Sequence, residues 1–124
     1  MNQPLSGRRV LVVEDEALVA MLLEAILEDM GCTVVVAATV EDGLAMAAGE
    51  DSLDAALLDV NVAGLQAFPV AVALKARGVP FVFSTGYGEG GLSDEWRGHP
   101  TVQKPFTESA IREALMKAMG VGEV

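Results

Sequence analysis

Short apolar runs at residues 10–13, 33–37, 55–58, 80–83 and 101–103 alternate with stretches of helical periodicity at 17–30, 41–48, 68–77 and 107–119. This alternation restricts the fold more than any other feature of the chain. The runs are apolar nearly throughout, without the in-out alternation of a half-exposed strand, so both faces of the sheet must be covered. Helices between consecutive strands supply that cover. The punctuation agrees: Gly31 and Gly78 follow the last turns of two helices, and Thr39 with Asp42 reads as a capping pair at the start of another. The pattern predicts a doubly wound α/β fold with a five-stranded parallel sheet.

A chain of 124 residues, 52% of them hydrophobic, has room for one core, and no internal repeat or linker divides it. One domain spanning 1–124, with no output domain, is expected. No apolar run approaches the roughly 18 residues needed to span a bilayer, and the N-terminus lacks a signal-like stretch, so the reading is a soluble cytoplasmic protein without a membrane partner. The formal charge of -10 argues against nucleic acid as a partner. Cys32 is the single cysteine and reads as a small core residue, and the single histidine, His99, reads as a solvated loop residue.

Chemistry enters where the apolar runs end. "VLVVEDEAL" carries the first strand into Glu14, Asp15 and Glu16, three carboxylates whose mutual repulsion asks for a cation. "DAALLDV" delivers Asp59, "PFVFST" delivers Ser84 and Thr85, and "TVQKPF" delivers Lys104, all to the carboxyl edge of the sheet where doubly wound folds bind ligands. Any one of these has a bland explanation as a turn former or cap. Together on one edge they suit phosphoryl chemistry: carboxylates hold Mg²⁺, the isolated Asp59 serves as nucleophile, and an ammonium and a hydroxyl meet the phosphoryl oxygens.

These motifs resemble the receiver domain of two-component response regulators, over nearly the whole chain from "RVLVVEDEALV" through "ALLDVNV" and "VPFVFSTGYG" to "QKPF", and more narrowly the stand-alone FATGUY receivers. The resemblance implies a flavodoxin-like strand order 2-1-3-4-5. It implies that Asp59 is the phosphoacceptor, that Asp15, Asp59 and the main-chain carbonyl of Asn61 bind Mg²⁺ with Glu14 assisting through water, that Thr85 is the switch hydroxyl, and that Lys104 contacts the phosphate before a cis bond to Pro105. A histidine kinase or histidine phosphotransfer protein is the implied donor. The chain is then a monomer or weak dimer that signals by protein contact or drains phosphate, with no enzymatic activity beyond self-labelling from small phosphodonors and self-dephosphorylation.

Two positions depart from the family pattern: Thr101 stands where an aromatic switch residue is usual, and Ala63 where many receivers have proline. Five glycines in "GYGEGGLSDEWRGHP" disfavour a full fourth helix, which is expected to be one turn near 93–97 or a loop, with Tyr87 and Trp96 as packing residues. The alternative function is an Mg²⁺-dependent phosphohydrolase of the haloacid dehalogenase type, which also uses an aspartate nucleophile but wants Asp-x-Asp after the first strand. A binding module that never takes phosphate is a third. On the first helix, Leu18, Leu22, Ala25 and Ile26 are assigned to the sheet, leaving Val19, Leu23, Leu27 and Met30 as a second apolar stripe. That stripe either packs under the last helix with Ile111 and Leu115 or docks a partner.

Overall fold

A computed structural model describes residues 5–49, 52–86, 96 and 98–120. Its elements are β1 (Arg9–Val13), α1 (Ala17–Asp29), β2 (Thr33–Ala37), α2 (Val40–Ala48), β3 (Ala55–Asp59), β4 (Asn61–Val62), β5 (Leu65–Gln66), α3 (Phe68–Ala76), β6 (Phe81–Thr85), β7 (Thr101–Gln103) and α4 (Glu108–Met119). Five strands form a parallel sheet in the order β2-β1-β3-β6-β7, while β4 and β5 make a separate antiparallel hairpin. With the hairpin set aside, this is the doubly wound, flavodoxin-like order expected. The hairpin itself was not expected. Four helices occur among the described residues; Tyr87 and the turn expected at 93–97, apart from Trp96, lie outside them.

The strands are apolar on both faces because each face feeds a different core. Leu11, Val13, Ala56, Leu58, Phe81 and Phe83 pack toward α2 and α3, whereas Val10, Val12, Ala55, Leu57, Val82 and Val102 pack toward α1 and α4. Caps form where hydroxyls were available: the Asp42 amide donates to Thr39 Oγ1 at 3.0 Å, and the Ala110 amide to Thr107 Oγ1 at 3.2 Å. Gly31 ends α1 with φ 90, and a Cβ there would stand 2.8 Å from Ser6 Oγ. None of the helices among the described residues is long and apolar enough to cross a membrane.

Two expectations need correction. The inward face of α1 is shifted from the one expected: Leu23, Leu27 and Met30 are buried in the same cluster as Ile111 and Leu115, with Val19 and, as expected, Ile26 packed against it, while Leu18 is 80% and Leu22 48% exposed. The 23/27/30 stripe wins because it meets β-strand residues Val10, Val12 and Leu57, and each buried leucine there is worth about 2–5 kcal/mol against alanine. Stabilisation by burial therefore removes Leu23 and Leu27 from any partner surface. His99, in turn, is half-buried: its ring stacks on Phe81 with centroids 4.3 Å apart, and Nε2 lies 2.8 Å from the Phe81 carbonyl oxygen. Burial lowers its pKa, keeping the ring neutral, so Nε2 carries the proton and donates it to that carbonyl.

Candidate functional site

Strand register brings the polar strand ends level. Asp59 pairs with Ser84 and Thr85 with Gln103, so the ends of β3, β6 and β7 form one edge, joined by the turn after β1. Backbone bonds hold the edge in place: the Glu14 amide donates to the Ala37 carbonyl at 3.0 Å, and the Lys104 amide to the Thr85 carbonyl at 3.1 Å. The Lys104–Pro105 bond is cis, as expected. Thr85 and Lys104 are therefore neighbours through the main chain, and both line a cleft of about 330 Å³ with Asp15, Asp59 and Asn61.

Carboxylate oxygens of Glu14, Asp15 and Asp59 lie within 4.8 Å of one another. Lys104 Nζ stands 3.5 Å from Asp59 Oδ2, 3.5 Å from Glu14 Oε1 and 4.0 Å from Glu16 Oε1. Burial pushes the Glu14 carboxyl up to about 7, with the nearby Asp59 adding to the rise and the Glu16 amide and Lys104 opposing it. Asp59 is also raised, again mainly by burial, against the pull of Lys104 and the Asn61 amide. Burial works against the charge on Lys104, yet Asp59 and Glu14 outweigh it and its pKa rises. The ammonium stays charged beside two carboxyls whose charged forms burial disfavours.

The donor set fits a divalent cation. Glu14 Oε2 accepts from the Glu16 amide at 3.1 Å, but its buried Oε1 is left without a hydrogen bond, 3.5 Å from the Lys104 ammonium. Three carboxylates against one ammonium leave a net charge of about -2 when all are ionised, which a hard divalent ion with oxygen preference would cancel. Every residue expected at the site is on this edge: Glu14, Asp15, Asp59, Asn61, Thr85, Lys104 and Pro105.

The hairpin adds a wall that sequence reasoning missed. Asn61 pairs with Gln66 across a two-residue loop, Ala63-Gly64, with φ 51 and 85, and both loop residues line the cleft. Positive φ at both central positions suits a type I′ turn, whose usual signature is Asn-Gly or Asp-Gly. Alanine in the first position hid the signal. It also explains why proline is absent, since proline fixes φ near -65°.

Residues 10–116 match the family described as response regulator receiver domain. The phyllosphere-induced regulator PhyR of Methylorubrum extorquens is 34% identical over 117 residues, covering 89% of this chain and 43% of that protein, so the chain spans less than half the length of this curated relative. Among solved structures, SdrG from Sphingomonas melonis Fr1 is 41% identical with a TM-score of 0.81, over 98% of this chain and 100% of that one. The receiver domain of the sensor histidine kinase PA1611 from Pseudomonas aeruginosa PAO1, described with a magnesium ion coordinated in its active site cleft, shares the fold at 23% identity and a TM-score of 0.78, over 94% of this chain and 100% of that one.

Proposed function

Because the chain belongs to the response regulator receiver domain family, we propose that it accepts a phosphoryl group on Asp59 from the phosphohistidine of a kinase or a histidine phosphotransfer protein. An Asp59 carboxylate oxygen attacks phosphorus, the phosphorus–nitrogen bond breaks, and the imidazole leaves with a proton while an acyl phosphate forms. The observation that carries this reading is the position of Asp59: the end of the central strand, 8% exposed, with Lys104 Nζ 3.5 Å from one oxygen and two further carboxylates beside it. A magnesium ion held by Asp15, Asp59 and the Asn61 carbonyl, with Glu14 acting through water, would neutralise charge on the phosphoryl oxygens. Lys104 supplies the second positive charge, and Thr85, at the edge of the same cleft, supplies the switch hydroxyl.

The donor docks by protein contact, and the exposed apolar residues on α1, Leu18, Met21 and Leu22, are the surface for it. Signalling follows from the phosphorylated state through a further protein contact. The family assignment does not support the phosphohydrolase alternative, and steady turnover of a generic phosphate ester is not expected.

The test is labelling with radioactive acetyl phosphate or a phosphorylated histidine kinase in the presence of Mg²⁺. The wild type is expected to acquire an acid-stable, base-labile label that Asp59→Asn lacks. Full labelling of Asp59→Asn would refute the assignment.

A further inference from the structure

Strand β6 places Phe81, Phe83 and Thr85 on one face, because side chains two apart point the same way. Thr101, where the family pattern would put an aromatic, sits in register beside Phe83 on β7. Phe83 nevertheless has an aromatic wedge against it. Trp96, only 5% exposed, meets Phe83 and Phe81 edge-on with centroids 5.7 Å from each, and lies parallel to Phe68 at 6.3 Å. Phe68 itself meets Phe83 at 5.7 Å and opens α3 directly behind the β4–β5 hairpin, which the Ala67 amide ties to the Val60 carbonyl at 2.9 Å. The indole thus packs on the strand that ends in Thr85 and on the first residue of the helix that follows the hairpin, while Thr85, Asn61, Ala63 and Gly64 line the cleft itself.

On its outer side the cluster borders a trough of about 790 Å³ with Lys75 and Lys117 on its rim. Both lysines lie in the last turns of their helices, where they answer the helix dipoles, so the trough needs no anion to balance them. The observation left over is the wedge.

We propose that Trp96 is the positioning residue that couples Thr85 to the state of Asp59, supplying from the segment between β6 and β7 the aromatic packing that Thr101 cannot. The proposal rests on the reading of Asp59 as phosphoacceptor. When the Thr85 hydroxyl is drawn toward a phosphoryl group, the end of β6 moves, and a close-packed ring cluster answers by changing between discrete packings instead of deforming smoothly. Among the described residues, Trp96 is the one ring in contact with Phe81, Phe83 and Phe68 together.

Trp96 is the only tryptophan, so its emission reads the cluster directly. Beryllofluoride with Mg²⁺ serves as the phosphoryl mimic, and fluorine NMR reports its binding independently. A saturable shift in Trp96 emission, with the same midpoint as the fluorine signal, is the expected result; bound beryllofluoride with unchanged emission overturns the proposal. In Trp96→Leu the Thr85 amide and methyl resonances should lose their mimic-induced shift while labelling from acetyl phosphate persists, and Trp96→Phe should restore part of the shift. A full Thr85 response in Trp96→Leu also overturns it. Absence of any bound fluorine signal in the wild type strikes the Asp59 reading instead, and this proposal with it.

Discussion

Lys104 Nζ stands 3.5 Å from both Asp59 Oδ2 and Glu14 Oε1, so one ammonium balances two buried carboxylates. Removing it in Lys104→Ala takes a positive charge away from the cation site and a phosphate contact away from the product. Mg²⁺ affinity is expected to hold or rise, by up to about tenfold if roughly 1.4 kcal/mol of repulsion is relieved, while labelling of Asp59 slows. Titration with Mg²⁺ beside a labelling time course checks both, and weaker Mg²⁺ binding in Lys104→Ala would count against the charge argument.

Glu14 gives a pH dependence of defined sign. Its folded pKa, about 7, lies above the ordinary 4.5, so folding favours its protonated form. Well below pH 4.5 both states carry the proton and no charge is buried; as pH rises toward 7 the folded state must either keep a proton or bury a charge. In a chelator, the wild type is therefore expected to lose stability across that window relative to Glu14→Gln, by at most about 3 kcal/mol at 1.36 kcal/mol per pKa unit. Saturating Mg²⁺ should flatten the difference. Chemical denaturation of both proteins across the window measures it, and parallel pH profiles in chelator would show that Glu14 is not held at a raised pKa.

How much of this was legible in the sequence depended on whether the signal was local. Strands apolar on both faces can only pair in a covered sheet, and polar residues at their ends fall on one edge once the strands are parallel, so the sheet and the Asp59 cluster followed from the order of residues alone. The face of α1 did not follow: leucine or isoleucine at 18, 22, 23, 26 and 27 gives two adjacent apolar stripes, and only the tertiary neighbours Ile111 and Leu115 select one. His99 was misread for a related reason. Its partner, Phe81, lies 18 positions away and carries no pattern that points to a loop histidine.

The hairpin loop stores removable strain. Ala63 is the only non-glycine with positive φ among the described residues, and an L-residue there costs roughly 1–2 kcal/mol. Ala63→Asn, the preferred residue at the first position of a type I′ turn, is expected to raise unfolding free energy by about 0.5–1 kcal/mol. Ala63→Pro should destroy the hairpin and with it one wall of the cleft, because proline cannot adopt φ 51. Thermal unfolding separates the variants, and a destabilised Ala63→Asn would mean that the loop does not hold this conformation in solution.

Leu22 and Leu23 are adjacent on α1 but differ sharply in burial, 48% and 1% exposed. With Leu18 at 80% and Met21 at 62%, Leu22 forms an apolar surface that begins two residues after Glu16, the last of the carboxylates that follow β1. A surface substitution clear of the core changes stability by no more than about 0.5 kcal/mol, whereas a charge in the buried α1–sheet contact costs several times that. Leu22→Glu is therefore expected to fold normally, to take label from acetyl phosphate at the wild-type rate, and to accept phosphate from its protein donor slowly, since only the protein donor must dock on α1. Leu23→Glu is expected to lose the fold and, with it, both reactions. Stopped-time phosphotransfer assays alongside melting curves distinguish these outcomes. If Leu22→Glu accepts phosphate from the protein donor at the wild-type rate, the exposed stripe on α1 is not the docking surface.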